Sequence, residues 1–231
     1  MKKSIKPRNF KKEIEDCVKN EKQKQENTLL ETHFQHRLRA TRDSIIKMLI
    51  AYKITGYKLL NTPKQLKSEK GAYGYYCTSN DSLITIIKAL KIGSIIDLGC
   101  GINILLNELK YFLYYLKIKG FENEKSLINI SKKIYNTNSE NIIEKKDIIS
   151  LTKSDVTGYD VLYFWEPLID RISCEKFVNN LLKKMTVGQI IIYQCSGNIR
   201  DFLDEEGVKN GILSEPFYWN GFFMYQKIKE I

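Results

Sequence analysis

The chain has 231 residues, of which 43% are hydrophobic and 28% charged, the balance of a globular protein rather than a disordered or membrane-embedded one. Its length suits one domain with an extension and excludes two full domains. The net charge of +10 favours anionic partners such as nucleic acid or the ribosome.

Other compositional features narrow the class of protein further. No apolar run reaches the ~18 residues that cross a bilayer, and no apolar stretch follows the N-terminal lysines, so we expect a cytoplasmic protein without membrane contact. Five cysteines without Cys-x-x-Cys spacing indicate reduced thiols rather than disulfides or zinc ligands. His33 and His36 share a helical face, but no further ligand accompanies them, so no metal is expected.

Residues 1–70 are predicted to form a basic, helical N-terminal extension. Ile14, Cys17 and Val18 have helical spacing, but the charged sequence after them leaves little to bury. This segment is therefore expected to become ordered against a partner, and to help recognise nucleic acid, the ribosome or a protein. Further along, an apolar stripe that begins at Ile45 predicts a helix that docks on the main domain.

Residues 71–231 alternate between strand and helix patterns. A loop with sequence KGAYGYYCTSND leads into a helix that ends near Gly93. Apolar runs then predict strands at SIIDL, YYLKIKGFE, NIIEKKD, DVLYFW and QIIIYQ, with helices between most of them. Asn220-Gly221 separates two final strand-like runs and predicts a hairpin. The predicted fold is a doubly wound, seven-stranded, mainly parallel α/β sheet with a C-terminal antiparallel hairpin.

Two acids and a glycine turn indicate a ligand site in this domain. Asp97 ends the strand in IIDLGCGIN, and Gly99 and Gly101 follow it, where the absence of a Cβ lets a ligand approach the backbone. Glu122 ends the next strand about twenty residues later, where a carboxylate can accept hydrogen bonds from both hydroxyls of a ribose. The sequence therefore predicts a nucleoside-shaped site at the carboxyl edge of the sheet, although a purely structural glycine turn is the alternative.

IIDLGCG followed by GFE resembles the class I S-adenosylmethionine-dependent methyltransferases, whose first strand ends in Asp/Glu-x-Gly-x-Gly and whose second ends in an acid. The upstream YYCTSNDSLITIIKALKIG is similar to the entry loop and helix of several of these enzymes, including small protein-lysine methyltransferases. The resemblance spans roughly residues 72–227. It implies S-adenosylmethionine as the cofactor, and the predicted terminal hairpin separates the chain from nicotinamide-dependent oxidoreductases, which are a further alternative.

The resemblance also implies roles for individual residues. Asp97, Gly99 and Gly101 would surround the methionine part of the cofactor, and Glu122 would hold the ribose. The remaining cofactor residues implied are Asp147 at the adenine amino group, Ile148 beside the ring, and Tyr76 and Thr78 closing over the cofactor. Asp147 could instead cap the following short helix, and Tyr76 could be a packing aromatic.

Asn103 departs from the family pattern, because the family more often has glycine there. In this sequence Asn103 stands where a helix begins, and asparagine can cap a helix and tolerate unusual dihedral angles. Cofactor binding is therefore compatible with Asn103, although its side chain could crowd the loop.

The sequence YFWEPLID occupies the place where amino-methylating members carry an Asn/Asp-Pro-Pro-aromatic turn. Glu166 could accept a proton or bind an incoming amine, and Trp165 could stack on a base or line a lysine channel. Alternatively, Pro167 only stiffens a turn and Trp165 only packs in the core. The hypothesis is a methyltransferase whose acceptor is unidentified, with RNA, DNA, the ribosome or a protein as candidates. A catalytically inactive scaffold of the same fold is the second reading.

Overall fold

The computed structural model of the protein describes residues 4–27, 81–135, 142–165, 167–168, 170–194 and 197–231. The described residues form one sheet with helices on both faces. The predicted helix that begins near Ile45 lies outside them, as do Tyr76, Thr78 and Glu166.

The sheet has seven strands in the order β3-β2-β1-β4-β5-β7-β6. Strands β1 to β5 run parallel, whereas β7 pairs antiparallel with both β5 and β6. Asn220 and Gly221 have φ angles of 46° and 89°, the positive values that a two-residue hairpin turn of this kind requires. The predicted fold class is confirmed. The strands are β1 Ser94–Leu98, β2 Lys117–Glu122, β3 Ile143–Lys145, β4 Val161–Trp165, β5 Ile190–Gln194, β6 Phe217–Trp219 and β7 Phe222–Gln226.

The helices of the described residues are α1 Phe10–Asn27, α2 Asp81–Ala89, α3 Ile104–Phe112, α4 Lys125–Tyr135, α5 Lys153–Val156, α6 Arg171–Lys184 and α7 Asn198–Phe202. A 3-10 turn covers Ile148–Ser150, and α7 continues as a π-helical segment over Leu203–Val208. The predicted second strand begins too early, since Tyr114 and Tyr115 are exposed turn residues ahead of β2. Sequence patterning did not identify α7 or its π-helical continuation.

Each face of the sheet buries its own apolar cluster, because successive residues of a strand point to opposite faces. Ile96 and Leu98 of β1 pack on the face covered by α6 and α7. Ile95 of β1 packs on the opposite face, with residues of α1, α2 and α3. The carboxyl ends of the parallel strands therefore emerge between two fixed layers of helices.

The N-terminal segment belongs to the second of these layers. Phe10 and Ile14 of α1 are 3% and 1% exposed and pack in the same cluster as α2 and α3. Arg8 donates from its backbone N–H to Oε1 of Gln226, 2.7 Å away, and from Nη2 to the Leu90 carbonyl, 2.9 Å away. The expectation that this segment has little to bury is wrong for residues 4–14, since two well-placed apolar side chains suffice to anchor it. The boundary near residue 70 stays a prediction, because residues 28–80 lie outside the described part.

Truncation of Ile14 to alanine is expected to lower the free energy of unfolding by about 2–5 kcal/mol, the usual effect of removing a buried aliphatic side chain. Denaturant unfolding measures this change. Ile172, which is 65% exposed, provides the matched control, and its alanine variant should unfold like the wild type. Equal stability of the two variants would show that α1 does not belong to the core.

Two features are absent from the residues that the structure describes. No helix among them is both long enough and apolar enough to cross a membrane. Within the same residues, no group of three or more His, Cys, Asp or Glu side chains is arranged to hold a metal ion. His33 and His36 lie outside this part of the chain, and the cytoplasmic location stays a prediction.

Candidate functional site

The glycine loop after β1 folds over the carboxyl end of β2. Asp97 pairs with Gly120, and Leu98 pairs with Phe121, in the parallel register of β1 and β2. The backbone N–H groups of Gly99 and Cys100 both donate to the Phe121 carbonyl, at 2.9 and 3.0 Å. The loop is thus tied to the neighbouring strand immediately before Glu122.

Glu122 is the second anchor of the loop. Its Oε2 accepts a hydrogen bond from the Gly101 backbone N–H at 2.9 Å, and its Oε1 accepts one from the Glu124 backbone N–H at 2.8 Å. Burial raises the pKa of Glu122, although the hydrogen bonds from Glu124 and Gly101 oppose that rise. The carboxylate is held in one orientation and keeps lone pairs for further donors.

Asp97 adds a second acid beside Glu122. It is 5% exposed, and burial, followed by the negative charge of Glu122, raises the pKa of its carboxyl well above the ordinary value. The same two carboxylates, after burial, raise the pKa of the Cys100 thiol. The edge of β1 and β2 is therefore an acidic pocket that a positively charged ligand would stabilise.

Gly99 has a structural task that the sequence did not reveal. Its φ is +94°, and a Cβ added there would lie 2.7 Å from Cβ of Pro167. Pro167 follows β4, so the turn after β4 packs directly on the glycine loop. The space above Gly99 is occupied by protein, and the predicted contact of this residue with a cofactor stays a prediction.

Asn103 adopts the left-handed conformation, with φ 67° and ψ 30°, as its position predicts. Its side chain makes no capping hydrogen bond to α3. A capping side chain normally requires an extended backbone, which the left-handed conformation does not provide. Its Oδ1 is buried and has no hydrogen-bond partner in the described part of the chain, which leaves an acceptor free for a ligand or for water.

Asp147 caps the 3-10 turn that follows it, since its Oδ1 accepts from the Ile149 backbone N–H at 3.0 Å. This is the structural alternative raised by the sequence. Ile148 is 6% exposed and packs in the core with Phe121. The adenine contacts implied for Asp147 and Ile148 stay predictions, as do the roles of Tyr76, Thr78 and Glu166, which lie outside the described residues.

Polar residues also lie at the carboxyl ends of β4 and β5. Tyr163 pairs with Asp97 across β1 and β4, and its hydroxyl donates to Oε1 of Gln194 at 3.0 Å. Trp165, the predicted stacking residue, pairs with Gln194 and packs partly buried on the α1–α3 side of the sheet. Neither Tyr163 nor Gln194 was predicted as a site residue from the sequence. The feature of the sequence that could have identified them is a polar group near the carboxyl end of an otherwise apolar strand.

No family model matches the sequence, and no curated protein matches it. Among solved structures, the methyltransferase domain of bacterial CtHen1 matches with a TM-score of 0.51 and 16% identity, over 64% of this chain and 95% of that one. PigF with SAH matches at a TM-score of 0.47 and 15% identity, over 60% of this chain and 57% of that one. SibL, an S-adenosylmethionine-dependent methyltransferase in its apo form, matches with a TM-score of 0.47 and 12% identity, over 66% of this chain and 55% of that one. The chain thus spans little more than half the length of PigF and SibL.

The strand order and the CtHen1 match agree on one architecture. Five parallel strands continue into an antiparallel β7 inserted between β5 and β6. The CtHen1 methyltransferase domain, of which nearly the whole length is matched, has the same fold at low sequence identity. The chain therefore has the fold of the class I, Rossmann-like methyltransferases, as the sequence resemblance implies.

Proposed function

We propose that the protein is an S-adenosylmethionine-dependent methyltransferase. The observation that carries this proposal is the hydrogen bond from the Gly101 backbone N–H to Glu122, which unites the glycine loop of β1 and the acid of β2 into one cradle. The cradle lies at the carboxyl edge of a parallel sheet, where open α/β folds bind ligands.

The chemistry of the cradle fits this cofactor. Its remaining hydrogen-bonding capacity is that of acceptors, namely the carboxyl oxygens of Asp97 and Glu122 and the buried Oδ1 of Asn103. S-adenosylmethionine brings an ammonium group, ribose hydroxyls and a positive sulfonium. A nicotinamide dinucleotide would bring a diphosphate, which two adjacent carboxylates repel. The Gly101 N–H that could bind a phosphate already donates to Glu122. The antiparallel terminal hairpin also differs from the fully parallel sheet that is typical of nicotinamide-dependent enzymes.

The residues of the chain would bind and orient the reactants. When bound, the cofactor supplies a methyl group activated by the sulfonium. Glu122 would accept the ribose hydroxyls, and Asp97 would stabilise positive charge in the pocket. The packing of Pro167 on Gly99 joins the turn after β4 to the cradle, so an acceptor beside Trp165 would be placed relative to the cofactor. Alignment of this kind provides most of the rate of such a transfer and requires no dedicated base.

Calorimetry with S-adenosylmethionine and S-adenosylhomocysteine tests cofactor binding. We expect micromolar affinity for the wild type, and Glu122→Gln should lower it at least about tenfold, since hydrogen bonds to a charged group contribute roughly 1.5–3 kcal/mol. Glu144→Gln is the matched control, because Glu144 lies on the adjacent β3 and pairs with Lys119 at 2.7 Å. A folded wild type that binds neither compound would contradict the proposal.

Turnover separates an active enzyme from a scaffold of the same fold. Methyl-labelled S-adenosylmethionine incubated with cell extract should transfer label to a macromolecular fraction only when active protein is present. The nucleic-acid and protein fractions are counted separately, and Glu122→Gln should lose the transfer. Cofactor binding without transfer to any fraction would favour the scaffold. Recognition of nucleic acid, the ribosome or a protein by the basic N-terminal extension belongs to the same proposal.

A further inference from the structure

Four residues on neighbouring strands form one continuous row at the carboxyl edge. Trp165 pairs with Gln194, Gln194 pairs with Phe222, and Phe222 pairs with Trp219. Residues paired directly across strands point to the same face, and Trp165, Phe222 and Trp219 all pack on the α1–α3 side. We call this set the edge row. The edge row lies on the same face of the sheet as Asp97. Tyr163 pairs with Asp97 and lies two residues before Trp165 on β4, so all three side chains point to that face.

The edge row offers aromatic surface on both sides of an amide donor. Neighbouring strands lie about 4.8 Å apart, so the row from Trp165 to Trp219 extends over roughly 14 Å. Trp165 and Trp219 are both partly exposed, whereas Phe222 between Gln194 and Trp219 is buried. A planar ring laid on Trp165 would reach the side chain of Gln194 on the next strand, whereas contact with Trp219 requires a second ring.

The amide of Gln194 has a fixed orientation. The Tyr163 hydroxyl donates to its Oε1 at 3.0 Å, which turns Nε2 away from the tyrosine. Burial, and then the charge of Asp97, raises the pKa of Tyr163 well above its ordinary value, so the hydroxyl stays a donor. Within the described residues Nε2 has no hydrogen-bond partner, and it is not among the buried unpaired atoms. Two N–H groups are therefore available to an acceptor atom at the edge of a ligand.

Cations stand at the same edge of the sheet. Arg171 begins α6 after β4, and its guanidinium lies 5.0 Å from the ring centre of Phe202. Arg200 belongs to α7 after β5, lies 4.2 Å from the ring centre of Phe223 and has a side chain 39% exposed, with Asp204 at 3.7 Å. Phe202 and Phe223 belong to the cluster on the α6 and α7 face, so both guanidiniums lie on the other side of the sheet from the edge row. The net charge of +10, rather than a contact at the row, therefore favours a polyanionic ligand.

We propose that the edge row binds two bases of a nucleic acid acceptor, one on Trp165 with an acceptor atom on Nε2 of Gln194, and a neighbouring one on Trp219. This rests on the proposed methyltransferase function and specifies its acceptor. Tyr163 is a positioning residue, since it acts through Gln194. A lysine side chain, the main competing acceptor, would bring donors rather than acceptors to Nε2.

Fluorescence anisotropy with labelled single-stranded oligoribonucleotides tests this inference on the full chain. The probes are a mixed-sequence twelve-mer and an abasic strand of equal length at one salt concentration. The wild type should bind the base-containing strand at least about tenfold more tightly than the abasic strand, since stacking contributes roughly 1–3 kcal/mol per base. Trp219→Leu and Gln194→Glu should remove most of this contrast. Gln194→Glu keeps an oxygen for Tyr163 but replaces the donor of Nε2 by an acceptor.

Tyr218→Leu is the matched control. Tyr218 neighbours Trp219 on β6, points to the opposite face and is 58% exposed, so its loss should leave the contrast unchanged. Tyr163→Phe removes only the hydroxyl and should lower the contrast in part while leaving the affinity for the abasic strand unchanged. Thermal unfolding of each variant confirms that it is folded.

The outcomes separate this inference from the function on which it rests. Equal affinity for both strands, or equal losses in Trp219→Leu and Tyr218→Leu, would overturn the edge row as a base site. Transfer of labelled methyl groups to the protein fraction, together with no preference for the base-containing strand over the abasic one, would overturn it in favour of a protein acceptor. S-adenosylhomocysteine binding, measured on the same variants, should be unaffected by Trp219→Leu, and its absence from the wild type would count against the methyltransferase proposal alone.

Discussion

Replacement of Asp97 by asparagine is expected to stabilise the ligand-free protein while removing most of its affinity for the cofactor. Burial and the charge of Glu122 raise the pKa of Asp97 in the folded state. The folded protein then holds a proton more tightly than the unfolded chain, so stability falls as the pH rises from the ordinary aspartate range through the raised pKa. The charge that Asp97 acquires above the ordinary aspartate range therefore opposes folding. Asparagine removes that charge, and with it the attraction for a cationic ligand.

Urea unfolding and calorimetry together measure both effects. The difference in unfolding free energy between Asp97→Asn and the wild type should grow with pH above the ordinary aspartate range, and S-adenosylmethionine should bind at least about tenfold more weakly. Asp160→Asn is the control at the opposite edge of the sheet, where the Asp160 Oδ2 accepts from the backbone N–H groups of Gly93 and Ser94 at 2.8 and 2.9 Å. That variant should lose stability and keep the cofactor. If Asp97→Asn behaved like Asp160→Asn, the acidic pocket would have a structural role only.

Gly99→Ala is expected to destabilise the protein by about 2–5 kcal/mol, from the left-handed backbone and from overpacking. The new Cβ would meet Pro167 at 2.7 Å, so the turn after β4 would have to move away from the glycine loop. Because that turn also leads from Trp165, both cofactor affinity and acceptor binding should fall. Thermal unfolding and calorimetry with S-adenosylhomocysteine provide the two measurements.

A double-mutant cycle identifies the cause of this loss. Pro167→Gly removes the atom that the new Cβ would meet, so Gly99→Ala should be less harmful in the Pro167→Gly background than in the wild type. The part that remains measures backbone strain at a φ of +94°. Additive effects of the two changes would instead place the full cost in the backbone, and the contact with Pro167 would then be unimportant.

Strands β1, β4 and β5 were predictable because each is a short apolar run buried on both faces, as SIIDL is. The hairpin was predictable from Asn220-Gly221, whose backbone few other residue pairs adopt. Burial of Phe10 and Ile14 was not predicted, since two apolar residues in a charged helix show no extended stripe. The partners of that helix are also distant in sequence.

The candidate site was predicted in part. Asp97 and Glu122 were identified because each ends a strand, and the ends of adjacent parallel strands meet. The hydrogen bond between Gly101 and Glu122 depends on the loop geometry, which no local pattern specifies. The row from Trp165 to Trp219 depends on register across four strands whose spatial order, β4-β5-β7-β6, differs from their order in the chain. Pairing of that kind cannot be deduced from each strand alone.

The pairing of the first and last described segments has a consequence for synthesis on the ribosome. The Ile5 backbone N–H donates to the Ile228 carbonyl at 3.0 Å, Ser4 and Lys229 form an antiparallel bridge, and β7 lies between β5 and β6. Residues 4–8 are translated long before residues 226–229, with which they form these backbone contacts. Until then β5 has no neighbour on one side, and Phe10 and Ile14 lack part of their final surroundings. The nascent chain must therefore carry an open sheet edge and an N-terminal segment with incomplete pairing until residues 222–229 have been translated, a state that exposes it to aggregation.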